Sequence, residues 1–213
     1  MPYVCEHVRP TSAVDFGCGV GVWLHVARDC GAERIQGFDV GQIDTENAVI
    51  PSDRIRRIDF ESDVSITERF DLAICLEVAG HVSEPRADHL VKLLCDTASF
   101  VLFSAAIPFQ GGTGHVNEQW ASYWIARFEK ENFVALDCIR PVFRDDTNVE
   151  WWYAQNTFLM VERSVKQRLP HLLHHATNAF PAGQPRASAA VDRRTRPLRA
   201  LSRPIGGAER TGA

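Results

Sequence analysis

The sequence lacks three features that would place it in a membrane, outside the cell or in a zinc-binding class. No run of about 18 apolar residues occurs, so no segment is long enough to cross a bilayer as a helix. The first residues carry neither a basic cluster nor an apolar block, which gives no secretion signal. The six cysteines are scattered without a Cys-x-x-Cys pair, which is typical of buried, reduced thiols. We therefore expect a cytoplasmic protein with no membrane partner.

Positive charge is scarce in most of the chain and concentrated at its end. Residues 1–163 contain 14 Lys and Arg against 25 Asp and Glu, whereas residues 164–213 contain 9 against 2. An acidic domain argues against a broad surface for nucleic-acid phosphates, so we expect no nucleic-acid partner. Residues 1–163 suffice for one α/β domain with a full core. Residues 164–213 are rich in Ala, Pro and Arg, which predicts a disordered basic tail.

Short apolar strands alternate with helical patterns along residues 1–163, which is typical of an α/β domain with a parallel sheet. The most apolar strand, 70–78, shows no polar alternation and is expected at the centre of the sheet, with helices on both faces. Helical patterns cover about 22–30, 84–95 and 122–131. The other strands are predicted at about 13–16, 34–40, 55–60, 99–105, 133–139 and 155–162.

A glycine-rich loop after the first predicted strand is the most informative motif. The segment 12–21 reads Ser-Ala-Val-Asp-Phe-Gly-Cys-Gly-Val-Gly, with Gly17, Gly19 and Gly21 at every second position. Glycine lets the backbone approach a ligand closely, and the amides at the start of the next helix face the same ligand. The dinucleotide fingerprint requires a further glycine where this chain has Val22, so the motif is of another kind.

The spacing Asp-x-Gly-x-Gly-x-Gly, from Asp15 to Gly21, resembles motif I of the class I S-adenosylmethionine-dependent methyltransferases. The resemblance covers about residues 11–163, where two late strands follow the alternating strands and helices. It implies a Rossmann-like α/β fold with a mostly parallel seven-stranded sheet, helices on both faces and an antiparallel terminal strand. It also implies S-adenosylmethionine as the cofactor.

Four residues are candidates for contacts with this cofactor besides the three glycines. Asp39 ends the second predicted strand, where a carboxylate can accept the hydroxyl protons of a ribose. The resemblance implies that Asp15 binds the loop amides near the methionine part. It also implies that the Asp59 carboxylate accepts from the adenine amine and that the Phe60 ring packs on the base. Simple loop orientation stays open for Asp15, and strand-end solvation for Asp39.

The segment Leu-Glu-Val-Ala-Gly-His-Val at 76–82 follows the central strand. It resembles the Glu-x-x-Glu-His segment of ubiquinone-pathway O-methyltransferases and of small-RNA terminal 2′-O-methyltransferases, where two acids and two histidines can hold a divalent cation. Glu77 and His81 match, His115 would be the later histidine, and Gly80 replaces the second acid. Glu77, His81 and His115 are the candidate metal ligands, because two imidazoles and a carboxylate could hold a transition metal, whereas Mg²⁺ prefers oxygen ligands. We expect a reaction that does not depend on a metal. Glu77 is also a candidate cofactor contact.

His115 has a second candidate role as a general base. It lies in a long glycine-rich loop at 107–120, and such loops at strand ends commonly carry function. Its setting resembles the Gly-Thr-His segment of small-molecule O-methyltransferases. An imidazole can take the proton of an acceptor hydroxyl near neutral pH, whereas the structural alternative is a cap for the next helix. The residues expected to line the acceptor side are Asn117, Glu118, Trp120, Tyr123, Trp124, Trp151, Trp152, Tyr153, Gln155 and Asn156.

These motifs predict an S-adenosylmethionine-dependent methyltransferase that acts on a hydroxyl of a small-molecule acceptor, with His115, Glu77 and His81 as candidate catalytic residues. Two alternatives stay open. Only about ten residues precede the first predicted strand, where relatives carry helices that cover the cofactor. A shortened cap of this kind also fits a cofactor-binding module without activity. An RNA 2′-O-methyltransferase guided by the basic tail would instead bind RNA in a salt-dependent way.

Overall fold

The computed structural model describes residues 1–41 and 46–177, which form one sheet with helices on both faces. The strands are β1 (Ser12–Phe16), β2 (Arg34–Asp39), β3 (Ile55–Arg57), β4 (Phe70–Leu76), β5 (Ala98–Ser104), β6 (Phe133–Leu136), β7 (Phe158–Glu162) and β8 (Ala176–Thr177). The helices are α1 (Pro2–Val8), α2 (Val22–Asp29), α3 (Ala87–Thr97), α4 (Ala121–Lys130), α5 (Arg140–Phe143) and α6 (Trp151–Asn156). Short 3₁₀ helices lie at Ser52–Arg54, Ala79–His81, Glu84–Arg86, Lys166–Arg168 and Pro170–His175.

The strand order indicates the edge of the sheet at which a ligand site is expected. In the described residues the order is β3-β2-β1-β4-β5-β7-β6-β8. The first five strands along the chain pair in parallel, and β7 is antiparallel to β5 and β6. The order reverses between β1 and β4, and ligands of open α/β sheets bind at the carboxyl ends of the strands that flank such a point. The predicted Rossmann-like fold is confirmed.

The core lies on both faces of the sheet because β4 and β5 are buried on both sides. Phe103 of β5 packs with Leu94 of α3 and Phe128 of α4 in the cluster on one face. On the other face, Leu72 of β4 packs with Val8 of α1. This explains the continuous apolar run of β4, which the sequence predicted to be central.

Several elements differ in extent from the sequence prediction, and one of them, the strand expected at 133–139, ends at Leu136. The strand expected from residue 155 begins only at Phe158, because Trp151–Asn156 forms α6. The third strand ends at Arg57, three residues earlier than expected. The residues before the first strand form α1, which buries Val4 and Val8.

The described part of the chain extends beyond the predicted boundary at residue 163. Leu169 and Leu172 are buried against the sheet, and the Asp137 N–H donates to the His175 carbonyl oxygen at 2.9 Å. The two-residue strand β8 then pairs with β6 and adds an eighth strand to the seven that were predicted. A few apolar residues in a mostly polar segment were too weak a signal to predict this. The rest of the predicted tail, from residue 178, lies outside the described residues. No helix within the described ranges is long and apolar enough to span a membrane.

Candidate active site

The glycine-rich loop connects β1 to α2 at the carboxyl end of the sheet. Its first residue, Gly17, has φ 83° and donates its N–H to the Phe38 carbonyl oxygen at 2.7 Å. A Cβ at Gly17 would lie 2.2 Å from Cγ2 of Val78, so only glycine fits between the two strands. Gly19 has φ 51°, but within the described residues no atom other than those of its chain neighbours lies within 4 Å of the position that its Cβ would take. The loop is therefore packed on one side and open on the other.

Asp39 holds this loop from the end of β2. Its Oδ2 accepts from the Gly19 N–H at 2.7 Å, and its Oδ1 accepts from the Val40 N–H at 2.8 Å. Oδ1 also accepts from the Gly41 N–H at 3.4 Å, so the further lone pair that a ligand hydroxyl could use is on Oδ2. The Asp39 side chain can therefore hold the glycine-rich loop and contact a ligand at the same time.

A cavity of about 310 Å³ lies beside this loop. It brings together six of the predicted site residues: Gly17, Asp39, Asp59, Phe60, Glu77 and His81. Gly19, Gly21 and Asp15 belong to the loop and its supporting strand and do not line the cavity wall. The residues predicted for cofactor binding therefore converge from four different strand ends.

Asp59 and Phe60 occupy the cavity wall in different ways. The Asp59 carboxylate accepts from the Ser62 hydroxyl at 2.8 Å and from the Glu61 N–H at 3.0 Å, and these hydrogen bonds lower its pKa. The Phe60 ring is 5% exposed, and its centroid lies 6.4 Å from that of Phe16. The adenine contacts expected of both residues stay predictions.

Asp15 lies beneath the loop in an unusual electrostatic setting. It is 1% exposed, and its Oδ2 has no hydrogen-bond partner among the described residues. Burial, together with the negative charge of Asp39, raises the pKa of Asp15 to about 8. A buried carboxyl without a partner is costly, and such groups are common at functional sites.

A second cavity, of about 380 Å³, adjoins the first. Glu77 and His81 line both cavities. The remaining walls come from the glycine-rich loop after β5 and from α6: Gln110, Gly111, Gly112, His115, Trp151 and Trp152. The two cavities therefore meet at the pair of residues that follows β4.

Glu77 is held by two amide side chains at this junction. Its Oε2 accepts from Gln110 Nε2 at 2.8 Å, and its Oε1 accepts from Asn156 Nδ2 at 3.3 Å. Asn156 Nδ2 also donates to Gln110 Oε1 at 2.8 Å. The backbone of Glu77 has φ 58°, and its N–H donates to the Ser104 hydroxyl at 3.0 Å. The sequence analysis did not single out Gln110, although an amide in a glycine-rich loop at a strand end was an available signal.

The two histidines lie side by side. Their ring centroids are 4.8 Å apart and the rings meet edge to face. His81 Nδ1 lies 3.1 Å from the Gly114 carbonyl oxygen, and His115 Nδ1 lies 3.0 Å from Oε1 of Glu118. A carbonyl and a carboxylate only accept, so Nδ1 is the donor in both rings, and the neutral form of each ring has its lone pair on Nε2.

The candidate metal ligands do not form a metal cage. No three His, Cys, Asp or Glu side chains among residues 1–41 and 46–177 are grouped to hold an ion. The Glu77 carboxylate faces the amides of Gln110 and Asn156. A Cβ at Gly80 would lie 3.2 Å from the Ala106 Cβ, which leaves little room for the acid found there in relatives.

The residues expected on the acceptor side divide into two groups. Trp151 and Trp152 line the second cavity, and Asn156 contacts Glu77. Trp124 and Asn117 are 2% and 3% exposed and belong to the interior. Successive side chains of a helix point about 100° apart, so residue type alone did not separate interior from surface positions.

Comparisons with known proteins agree with this geometry. The model of a family described as a methyltransferase domain matches residues 4–157. A ubiquinone biosynthesis O-methyltransferase from Methylobacterium sp. (strain 4-46) is 36% identical over 114 residues, which are 50% of this chain and 40% of that protein. The matched region thus spans less than half the length of this relative.

Two solved structures resemble the fold. The methyltransferase domain of bacterial CtHen1-C superposes with a TM-score of 0.52 at 20% identity, over 75% of this chain and 92% of that one. An S-adenosylmethionine-dependent methyltransferase from Mesorhizobium loti gives 0.50 at 16% identity, over 70% and 88%.

A Rossmann-like sheet with a glycine loop, an acid at the end of β2 and a cavity between them is typical of proteins that bind a nucleotide-type cofactor. The chain belongs to the methyltransferase-domain family, and its glycine motif predicts S-adenosylmethionine as the cofactor. The site fits that cofactor on two observations. The open side of Gly19 leaves room for it, and the unpartnered Oδ2 of Asp15 suits a ligand that brings a positive charge or an N–H donor.

Replacing Asp15 by Asn is expected to flatten the pH dependence of stability. The pKa of Asp15 is raised from 3.8 to about 8 on folding, so between these values the folded chain holds a proton that the unfolded chain has released. Stability therefore falls as the pH rises through this window, and the Asn variant loses that contribution. Urea unfolding without cofactor at pH 5, 6.5 and 8 measures the slope. Equal slopes for both proteins would contradict the assignment.

Proposed function

We propose that this methyltransferase transfers a methyl group to a hydroxyl of a small-molecule acceptor. The observation that carries the proposal is the pair of cavities that meet at Glu77 and His81. One cavity lies at the glycine loop and Asp39, and the other is walled by His115 and two tryptophans. A donor and an acceptor in these cavities would have their reacting atoms in contact at the junction.

The chain's own residues would hold the cofactor at the first cavity. The glycine loop offers its backbone, and Asp39 offers a lone pair of Oδ2 to a ribose hydroxyl. Asp59 and Phe60, which line this cavity, would contact the adenine. Asp15 lies behind the cavity wall and would act near the methionine part, as the resemblance implies. When bound, S-adenosylmethionine supplies a methyl group on a sulfonium, and sulfur keeps the electron pair as the acceptor oxygen bonds to that carbon.

His115 would act as the general base of the reaction. Its Nε2 lone pair is available because Nδ1 carries the proton, and the ring lines the acceptor cavity. It would take the hydroxyl proton as the oxygen attacks. The junction also positions the two reactants, and well-oriented reactants can contribute about 7–11 kcal/mol to the lowering of the barrier.

The acceptor is expected to carry no negative charge. Glu77 brings a carboxylate to the second cavity, and the described residues that line it include no Lys or Arg. The two tryptophans suit a planar ring. Catechol should therefore be methylated with a kcat/KM at least about fivefold above that of 3,4-dihydroxybenzoate, because like charges about 4 Å apart repel by about 1 kcal/mol even in water. Equal or reversed rates for the two compounds would contradict this selection.

The direct test of the proposal is transfer of a labelled methyl group. Purified protein is incubated with labelled S-adenosylmethionine and either a panel of hydroxylated ring compounds or a small-molecule extract of the host. Products that carry the label on oxygen support the proposal. Cofactor binding without transfer to any acceptor would favour the alternative of a binding module without activity.

A further inference from the structure

Glu118 lies at the centre of a hydrogen-bonded group in the loop after β5. Its Oε2 accepts from the Phe109 N–H at 2.9 Å, and its Oε1 accepts from the Gly111 N–H at 3.0 Å. Oε1 also accepts from Nδ1 of His115 at 3.0 Å. Three N–H donors thus converge on one side chain.

Only a carboxylate satisfies all three donors. It has two oxygens and no hydrogen, whereas a glutamine amide has one oxygen and must turn an NH₂ group towards at least one of these donors. The hydrogen bond from His115, followed by those from Phe109 and Gly111, lowers the pKa of Glu118, so the carboxylate stays ionised at neutral pH. The chemistry of the loop therefore specifies Glu at this position.

The His115 ring is closely packed and forms part of the wall of the second cavity. The side chain is 12% exposed, the His81 ring lies against it, and the Glu77 carboxylate lines the same cavity. A Cβ at Gly112 would lie 2.7 Å from Cε1 of the ring, so the backbone of Gly112 packs closely on it. Glu118, His81 and Glu77 are the titratable groups that face this imidazole.

We propose that Glu118 is a positioning residue for methyl transfer, which fixes His115 in the tautomer with Nδ1 protonated and Nε2 ready to take the acceptor proton. The inference rests on the proposed function, because His115 is its base. Glu118 touches neither reacting atom and acts through the imidazole. The carboxylate also stabilises the positive charge that the ring gains when the hydroxyl proton arrives.

The alternative role for Glu118 is to anchor the loop alone. A double-mutant cycle separates the two roles, because a residue that acts through His115 loses its effect once the imidazole is gone. Glu118→Gln is the informative substitution, since it keeps the size of the side chain. It also turns an NH₂ group towards Nδ1 of His115 or towards a backbone N–H, where a donor then faces a donor.

We expect Glu118→Gln to lower kcat by roughly 10- to 100-fold. This loss is smaller than the roughly 10²–10⁴-fold that a general base contributes, because His115 is still present in the variant. The affinity for S-adenosylmethionine, measured by calorimetry, should stay within about twofold. In a His115→Ala background the same substitution should change kcat by less than about twofold. An equal loss of kcat in both backgrounds would overturn the proposal in favour of a loop anchor.

A spectroscopic measurement tests the tautomer without any acceptor. The ¹⁵N chemical shifts of the His115 imidazole report which nitrogen carries the proton, and the shifts of Glu118→Gln should move towards the Nε2-protonated form. Unchanged shifts would overturn the proposal. If the wild-type protein methylates no hydroxylated acceptor, the proposed function fails. The chemical shifts still show whether Glu118 fixes the tautomer of His115.

Discussion

Replacing Gly19 by Asp is expected to abolish the binding of S-adenosylmethionine. The new side chain would enter the open side of the loop, where within the described residues no atom other than those of its chain neighbours lies within 4 Å of the Cβ position. It would also bring a second carboxylate next to Asp39, whose Oδ2 is 2.7 Å from the Gly19 nitrogen. The backbone at φ 51° is one that Asp can adopt, so the loss is expected in binding rather than in folding.

Titration calorimetry measures this loss, and thermal unfolding without cofactor checks the fold. Gly31→Asp is a matched control, because Gly31 also has positive φ and open space around its Cβ position but lines neither cavity. Asp39→Ala, which removes the carboxylate expected to bind the ribose, should weaken affinity by about 10-fold or more. Unchanged affinity in both Gly19→Asp and Asp39→Ala would show that S-adenosylmethionine does not bind in this cavity.

Replacing His115 by Ala is expected to lower turnover by at least about 100-fold while cofactor affinity changes little. The imidazole lines the second cavity and its Nδ1 is held by Glu118, so its loss removes the proposed base but leaves the glycine loop and Asp39 in place. Steady-state kinetics with a methylated acceptor gives kcat, and calorimetry gives the affinity.

His25→Ala serves as the control for loss of a histidine. His25 lies on α2, with its side chain 42% exposed, and lines neither cavity. Turnover of this variant should match that of the wild-type protein. Equal turnover in His115→Ala and wild type would exclude His115 from the mechanism, and the role inferred for Glu118 would fail with it.

The donor side of the site was accessible from the sequence because its signals are local. Gly17, Gly19 and Gly21 lie within five residues, and β1, the loop and α2 follow one another along the chain. Asp39 ends the next strand, so the parallel pairing of β1 and β2 brings it to the loop. Chain order and the right-handed crossover were enough to predict this proximity.

The acceptor side depends on contacts between distant parts of the chain. Glu77 and Asn156 are 79 positions apart, and the amide pair that holds Glu77 forms only when α6 folds against the loop after β5. The sequence predicted a strand from residue 155, whereas α6 continues to Asn156. The contact between Asn156 and Glu77 was therefore not predicted. Glu118 was expected to line a pocket, yet it lies behind His115. The direction of a side chain in an irregular loop follows no sequence periodicity, so it could not be predicted.

The shared wall at Glu77 has a consequence for how the two ligands bind. One carboxylate borders both cavities and is held by amides that belong to the acceptor side. Any change that a molecule in one cavity makes to this carboxylate alters the affinity of the other cavity for its own ligand. Thermodynamic linkage requires the factor to be equal in both directions. For a donor and an acceptor bound as proposed, Glu77 is therefore the side chain through which each ligand would change the affinity of the other.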